Sequence, residues 1–244
     1  MLENIHLDSV LFLDIETVPM VAEYADLPQN FRKLWDKKAE VLSRGDRTPV
    51  AETPSSEQLF ERAGIYAEFG KIICISTGFL RNGSLRMKSF YGEDEKQLLM
   101  DFTGMLLKAT KAAEKKILFL CAHNGKEFDY PYMIRRMLVN GIRVPPILDL
   151  SGKKPWEVNH LDTMELWKFG DYKNYTSLEL LATIFGIPTP KDDITGQDVG
   201  RVYWQEKDLP RIVTYCQKDV VTIVNIMLKF KGEPLIDPSQ ITYI

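Results

Sequence analysis

Two apolar segments joined by the dipeptide Asn82-Gly83 restrict the fold of this chain more than any other feature of its sequence. Residues 71–80 (KIICISTGFL) and 85–92 (LRMKSFYG) are rich in residue types that favour strands, and Asn-Gly is the preferred dipeptide of two-residue hairpin turns. Residues 9–16 form an earlier apolar segment with the same character. The pattern therefore predicts three consecutive antiparallel strands.

A helical pattern and a different kind of strand follow this hairpin. Apolar side chains recur at helical spacing within residues 93–116, and residues 117–124 (ILFLCAHN) are typical of a fully buried strand. A strand that is reached across a helix pairs in parallel with its neighbour. The sequence therefore predicts an α/β fold in which three antiparallel strands and then parallel strands form a mixed sheet flanked by helices. The remaining predicted elements are helices at 129–141, 178–187 and 209–230 and a short strand within 159–166.

The segment between the first two strands has no strand pattern. Residues 20–62 are polar and charged, and we interpret them as helical pieces around a flexible loop at Thr53-Pro54-Ser55-Ser56. Such an insertion either covers a functional site as a lid or decorates the surface. We predict one domain over residues 1–244 that carries this insertion.

Composition and charge exclude several classes of protein. The net charge is −3 and the pI is near 5.7, which argues against a protein held on nucleic acid by its overall charge, although a local basic groove is compatible with them. Cys74, Cys121 and Cys216 are widely spaced in apolar stretches, so we predict buried free thiols rather than a structural zinc site. No apolar run approaches the roughly 20 residues that cross a bilayer, and the start of the chain lacks a secretion signal. We therefore expect a soluble, cytoplasmic protein with no membrane partner.

The first predicted strand carries two carboxylates in an apolar setting. Asp14 and Glu16 are two positions apart, so they emerge side by side on one face of the strand. Left partly buried, such a pair would repel and one member would take up a proton. Asp129 follows the buried strand where the chain turns into a helix, and Asp219 lies in the C-terminal helix on the same face as Tyr215. We expect these groups to converge on the first strand.

Converging carboxylates require cations to stay ionised. Hard oxygen ligands are those that Mg²⁺ and Mn²⁺ prefer. Two divalent ions about 3.5–4 Å apart would neutralise the cluster and support phosphodiester hydrolysis. The sequence therefore predicts two ions, Mg²⁺ or Mn²⁺, held by Asp14, Glu16, Asp129 and Asp219.

Three segments resemble the motifs of a known family. DIET at 14–17, HNGKEFDYPYMIRR at 123–136 and YCQKD at 215–219 resemble, in this order, the three exonuclease motifs of the DEDD superfamily of 3'-5' exonucleases. A tyrosine four residues before the last aspartate is similar to the DEDDy branch, which includes the proofreading domains of family A and family B DNA polymerases. The stand-alone bacterial predicted exonucleases related to the family B domain resemble this chain most, over about residues 9–230. The resemblance implies a ribonuclease H-like fold.

The resemblance also implies a role for each acidic residue. Asp14, Glu16 and Asp219 would hold the ion that binds the attacking water, Asp14 would bridge to the second ion, and Asp129 would reach that ion directly or through water. Tyr215 would orient the water rather than take its proton, because an unperturbed phenol has a pKa near 10. The structural alternative is a set of surface acids paired with lysines, beside a half-buried core tyrosine.

Three further residues are candidates for substrate binding. The resemblance places Thr17, through its backbone, and Asn124, through its amide, near the 3'-terminal nucleotide. Phe128 either stacks against a base or packs beneath Asp129.

Two polar residues near these motifs are expected to be structural. His123 precedes Asp129 in sequence instead of lying shortly before the last aspartate, so we favour a structural or substrate-facing role over that of a catalytic base. Asp162 matches an acid of the relatives, and a structural or supporting task is favoured over metal ligation.

The function that these expectations favour is metal-dependent removal of nucleotides from the 3' end of single-stranded nucleic acid, with release of nucleoside 5'-monophosphates. DNA is the expected substrate and RNA is the alternative, because contacts to the 2'-OH decide between them. Two competing functions are a catalytically inactive nucleic-acid-binding module of the same fold and a metal-independent glycosidase. No polymerase domain is encoded in this chain, so we expect an enzyme that acts alone or joins a polymerase or repair partner.

Overall fold

The computed structural model describes residues 5–45, 54–112, 118–171, 175–188 and 193–244. Its strands are β1 (Val10–Pro19), β2 (Gly70–Arg81), β3 (Ser84–Tyr91), β4 (Phe119–Ala122), β5 (Leu161–Asp162) and β6 (Ile241–Tyr243). They form one sheet in the order β5-β4-β1-β2-β3-β6. The pairs β1–β2 and β2–β3 are antiparallel and the other three are parallel. The predicted α/β fold with a mixed sheet is therefore confirmed.

The helices are α1 (Gln29–Gly45), α2 (Ser56–Phe60), α3 (Glu95–Ala112), α4 (Asp129–Val139), α5 (Thr163–Lys168), α6 (Leu178–Ile184), α7 (Val199–Arg201) and α8 (Leu209–Phe230). A π-helical segment, Val202–Glu206, follows α7. The start of α8 is fixed by Asp208, whose side chain accepts a hydrogen bond from the N–H of Arg211, and by Pro210 in the first turn. This helix has the bounds that its sequence pattern predicts.

The two faces of β1 belong to different cores. Odd-numbered residues from 11 to 15 pack in the apolar cluster formed with α3 and α4. Val10 and Phe12 pack in a second cluster, with apolar residues of α8. Because side chains alternate along a strand, the even-numbered Asp14 and Glu16 lie on the α8 face of the sheet.

The segment predicted as an insertion, residues 20–62, contains α1 and α2. Trp35 of α1 is fully buried and packs edge-on against Phe60 and Phe69. Its indole N–H donates to the Ser56 carbonyl over 2.8 Å. The expected helical pieces are present, whereas Thr53 of the expected flexible loop lies outside the described residues.

Some bounds differ from those predicted. β1 runs to Pro19, three residues beyond its predicted end, because its pairing with β2 continues past a register shift. β6, a three-residue edge strand parallel to β3, was not predicted.

All three cysteines are buried free thiols, as predicted. Within the described part of the chain, no helix combines the length and apolar character needed to cross a membrane.

Candidate active site

The edge of β1 opens where the acidic pair lies. The parallel ladder between β1 and β4 ends at Phe12, and among the described residues no strand pairs with β1 on this side beyond that point. Asp129, at the start of α4, pairs with this free edge: its carboxylate accepts a hydrogen bond from the backbone N–H of Ile15. On the other side of β1, the register with β2 shifts between Glu16 and Thr17. The shift leaves Ile73 of β2 without a partner in β1, as at a β-bulge.

Helix α8 adds further side chains to the carboxylates of β1 and α4. The Cys216 sulfur lies 3.4 Å from Oδ2 of Asp14 and 3.4 Å from the Asp14 carbonyl oxygen. The potential ligand atoms of Asp14, Glu16 and Cys216 lie within 4.8 Å of one another. Asp219 follows Cys216 by three residues and thus shares its helix face. Three chain segments therefore bring the four predicted carboxylates together.

Burial and mutual repulsion make these carboxyl groups hard to ionise. Burial raises the pKa of Asp14, and the charges of Asp219 and Asp129 raise it further. Burial also raises the pKa of Glu16, with Asp14 as the next cause. Burial raises the pKa of Asp129 to about 7, although the N–H groups of Asp129 and Ile15 oppose this rise. A divalent cation would remove this electrostatic cost, and carboxylate oxygens are suitable ligands for Mg²⁺ or Mn²⁺.

Tyr215 contacts the cluster through its hydroxyl group. The phenol hydrogen-bonds to the Asp219 carboxylate. Burial and then the charges of Asp219, Glu16 and Asp14 raise the pKa of Tyr215. The phenol is therefore protonated at neutral pH and acts as a hydrogen-bond donor.

A cleft of about 680 Å³ adjoins the acidic pair. Its lining includes Glu16 and Thr17 of β1, Phe128 before α4, and Glu61 and Arg62 at the end of the insertion. Two of the three predicted substrate-binding residues, Thr17 and Phe128, thus line one cleft beside the carboxylates. The Phe128 ring also contacts another aromatic ring of α4 at a centroid distance of 5.4 Å, so it is packed as well as available to the cleft.

Asn124, the third predicted substrate-binding residue, lies just past the end of β4 and is not among the described residues that line the cleft. It adopts a left-handed backbone conformation with φ of 61°. Its side-chain Oδ1 is buried and accepts no hydrogen bond from the described residues. The amide thus retains hydrogen-bonding capacity.

Asp162 organises the loop that carries Asn124. Its carboxylate accepts hydrogen bonds from the backbone N–H groups of Asn124 and Lys126, over 3.0 and 3.1 Å. It also accepts from the N–H groups of Met164 and Glu165 and so caps α5. These contacts account for the acid at this position, as expected for a structural residue.

His123 is likewise held by structural contacts. Nδ1 lies 2.9 Å from the Thr163 hydroxyl, and Nε2 lies 2.9 Å from the Thr176 carbonyl oxygen. Burial lowers its pKa, so the imidazole is neutral at neutral pH. Both ring nitrogens are engaged, which agrees with a structural role and not with a free base.

The structure adds residues to the site that the sequence pattern did not place there. Cys216 was predicted only as a buried thiol, although its spacing of three from Asp219 on a helix was an available signal. Arg62 and Glu61 come from the insertion, and no local pattern links them to a cleft formed by residues far away in the sequence.

The chain matches a known protein family over most of its length. Residues 65–233, more than half of the chain, match the family model described as a predicted 3'-5' exonuclease related to the exonuclease domain of PolB. The matched region contains Asp129, Tyr215 and Asp219, whereas Asp14 and Glu16 precede it. A search among curated proteins found no match.

Comparison with solved structures supports the fold independently. The chain is similar to the family B DNA polymerase from the hyperthermophilic archaeon Pyrobaculum calidifontis, with a TM-score of 0.53 and 15% sequence identity over 91% of this chain. It spans 24% of the length of that polymerase. The predicted ribonuclease H-like fold is therefore confirmed. By its family match, the chain belongs to the predicted 3'-5' exonucleases related to the exonuclease domain of PolB.

Proposed function

We propose that this protein removes nucleotides from the 3' end of single-stranded nucleic acid, DNA by preference, and releases nucleoside 5'-monophosphates. The observation that carries the proposal is the convergence of carboxylates from β1, α4 and α8 beside a cleft, with the Tyr215 hydroxyl on the Asp219 carboxylate. Membership of a predicted exonuclease family supports the reaction class. The relation of that family to PolB favours DNA over RNA.

The acidic cluster would bind the metal ions that such a reaction needs. Asp14, Glu16, Asp129 and Asp219 would hold two divalent ions, Mg²⁺ or Mn²⁺. Ions bound there supply an activated nucleophile and stabilise the charge of the leaving oxygen. The raised pKa values of Asp14, Glu16 and Asp129 support this assignment, because positive charge from the protein itself would have lowered them.

The other residues position the substrate and the attacking water. Tyr215 keeps its proton at neutral pH, so it orients the water by hydrogen bonding and does not deprotonate it. Phe128 offers a ring to the cleft for stacking on the terminal base, and Thr17 lies beside it on β1. Asn124 contributes the amide whose Oδ1 lacks a partner among the described residues. Together these groups hold the last phosphodiester bond against the carboxylates.

The decisive test is digestion of 5'-labelled single-stranded DNA and RNA of one sequence, with Mg²⁺ or Mn²⁺ and with or without EDTA. Asp14→Asn and Asp219→Asn remove one charge each with little change in shape. Asp26→Asn is the matched control, since Asp26 is exposed and does not line the cleft. We expect a ladder that shortens from the 3' end, that chelator and either site variant abolish, and that the control retains.

Two outcomes would contradict the proposal. Intact DNA and RNA with every metal, from a folded protein that still binds nucleic acid, would indicate a binding module. Hydrolysis that resists EDTA and survives both site substitutions would exclude a metal-dependent reaction at these carboxylates.

A further inference from the structure

The cleft beside the carboxylates has an unfavourable charge for a nucleic-acid strand. Glu16 of the acidic cluster and Glu61 line it, and Arg62 is the one cationic side chain among the described lining residues. A strand that enters the cleft carries a negative charge at every nucleotide. Cations at the acidic cluster would serve the reacting phosphate, so the other phosphates require a positive group elsewhere.

Arg62 is exposed and available for such a contact. Within the described part of the chain, no carboxylate forms an ion pair with it. Arg211 differs in this respect, because Asp193 and Glu206 engage its guanidinium. A guanidinium without an acidic partner is a ready donor to phosphate oxygens.

The backbone of Arg62 is fixed by its neighbours. Its N–H donates to the Leu59 carbonyl over 3.0 Å, and its own carbonyl accepts from the N–H of Ile65 over 3.2 Å. Two residues later, Gly64 lies against β1, where an added Cβ would be 2.9 Å from the Val18 carbonyl carbon. Only glycine allows this approach, which brings the end of the insertion next to the strand of the acidic pair.

A second attachment ties the same turn to α4. The Tyr132 hydroxyl donates to the Gly64 carbonyl over 2.7 Å in a buried position. The turn that follows Arg62 is thus joined both to the strand that carries Glu16 and to the helix that begins at Asp129. These buried contacts therefore fix the location of the turn relative to the carboxylates.

We propose that Arg62 binds a phosphate of the substrate strand next to the reacting one, so that the insertion forms a fixed wall of the substrate site. This inference rests on the proposed exonuclease function. It makes Arg62 a substrate-binding residue that the three motifs do not contain.

The test compares two substrates with different numbers of phosphates. A short single-stranded DNA oligonucleotide carries phosphates beyond the reacting one, whereas the p-nitrophenyl ester of thymidine 5'-monophosphate has a single phosphate. For Arg62→Ala we expect KM for the oligonucleotide to rise about tenfold, the loss of one charge-assisted contact. The slope of log(1/KM) against log salt concentration should become shallower by about 0.7, the value for one single-strand phosphate. The turnover of the ester should keep its wild-type value.

Two neighbouring variants serve as controls for the sign of the charge. Arg62→Lys retains a positive charge and should restore the salt slope. Glu61→Gln removes a repulsive charge one residue away and should lower KM, the opposite of the effect of Arg62→Ala.

Unchanged KM and salt slope in Arg62→Ala would overturn the inference while leaving the exonuclease intact. An equal loss on both substrates would also overturn it, because it would assign Arg62 to folding or to the reacting phosphate. A wild-type protein that is inert towards both substrates would overturn the proposed function itself.

Discussion

Tyr215 and Asp219 share a hydrogen bond whose direction depends on which group holds the proton. Burial and nearby negative charge raise the pKa of Tyr215, so the phenol is the donor and the carboxylate is the acceptor at neutral pH. A phenol in this state has a fixed direction for its O–H and no capacity to take a proton. The residue is thus suited to orienting a nucleophile held at the neighbouring carboxylates.

Removal of this hydroxyl group should affect turnover rather than binding. For Tyr215→Phe we expect kcat to fall by about a hundredfold, with KM within about twofold of wild type, because the ring still fills its space. Steady-state hydrolysis of a labelled oligonucleotide measures both constants. Tyr203→Phe is the control: Tyr203 packs in the same apolar cluster but its hydroxyl accepts from Lys71. Equal losses in the two variants would show that packing, and not orientation, is responsible.

For single residues, the sequence was a better guide to which side chains would converge than to the contacts that they make. Alternation along β1 and helical spacing in α8 were enough to place Asp14, Glu16 and Asp219 on facing surfaces. The same rules do not give the depth of a side chain or its distance from a third element. Cys216 therefore appeared only as a core thiol, and the role of Asn124 near the 3'-terminal nucleotide stays a prediction.

Helix α4 carries Asp129 in its first turn, and a buried ion pair attaches it to α3. The Arg136 guanidinium donates to both carboxylate oxygens of Glu95, over 2.9 and 2.6 Å, and to the Ala67 carbonyl over 2.8 Å. The Glu95 carboxylate also accepts from the backbone N–H of Ile72 in β2. One network thus fixes α3, α4 and the sheet behind the acidic site.

Breaking this pair should destabilise the protein strongly. Arg136→Ala leaves Glu95 buried without its cation, and we expect the free energy of unfolding to fall by about 3–5 kcal/mol. Arg211→Ala breaks exposed ion pairs and should destabilise the protein far less. Urea denaturation of both variants measures the two values. A loss below about 1 kcal/mol in Arg136→Ala would contradict a structural role for the pair.

The junction between the insertion and β1 offers another test at the scale of elements. Gly64→Ala places a Cβ 2.9 Å from the Val18 carbonyl carbon, so the segment must shift. We expect a loss of about 1–3 kcal/mol in stability, measured by urea denaturation. Gly104→Ala is the matched control within α3, since no heavy atom lies within 4 Å of its added Cβ. There we expect a gain of about 0.5–1 kcal/mol, and equal behaviour of the two variants would refute the close contact.

Elements were predictable where a local pattern specifies them. The hairpin at Asn82-Gly83 and the long C-terminal helix have strong local signals, and both are present in the structure. β6 has only three residues and pairs at the sheet edge, so no periodicity can reveal it. The insertion packs through aromatic contacts around Trp35 between residues distant in sequence, which is why its place beside the cleft could not be predicted.

At the scale of the whole molecule, the buried acids couple folding to pH. Unfolded aspartate has a pKa of about 3.9, whereas that of Asp129 in the folded protein is about 7. Between these values the folded protein binds more protons than the unfolded chain, so the free energy of unfolding falls as pH rises. The contribution of Asp129 to stability is complete only below the pKa of the unfolded chain. The raised pKa values of Asp14 and Glu16 act in the same direction.

The metal-free protein should therefore lose stability between about pH 4 and pH 7. One proton that the folded protein binds and the unfolded chain does not changes the free energy of unfolding by about 1.4 kcal/mol per pH unit. Asp129→Asn cannot ionise and keeps a side-chain oxygen, so its stability should depend less on pH than that of wild type. Urea denaturation in EDTA across this range measures the difference, with Asp26→Asn as control. An Asp129→Asn curve parallel to that of wild type would contradict the raised pKa.

Divalent ions should reverse this dependence, because they bind the deprotonated cluster of the folded protein and not the unfolded chain. Mass action then stabilises the folded state by an amount that grows with the ratio of free ion to Kd. Protons compete for the same oxygens, so the increase in Tm on adding Mn²⁺ should be larger at about pH 8 than at about pH 5. Asp14→Asn should reduce this increase, and Asp26→Asn should retain it. Equal increases at both pH values, or an unchanged increase in Asp14→Asn, would place the binding of the ion away from the acidic cluster.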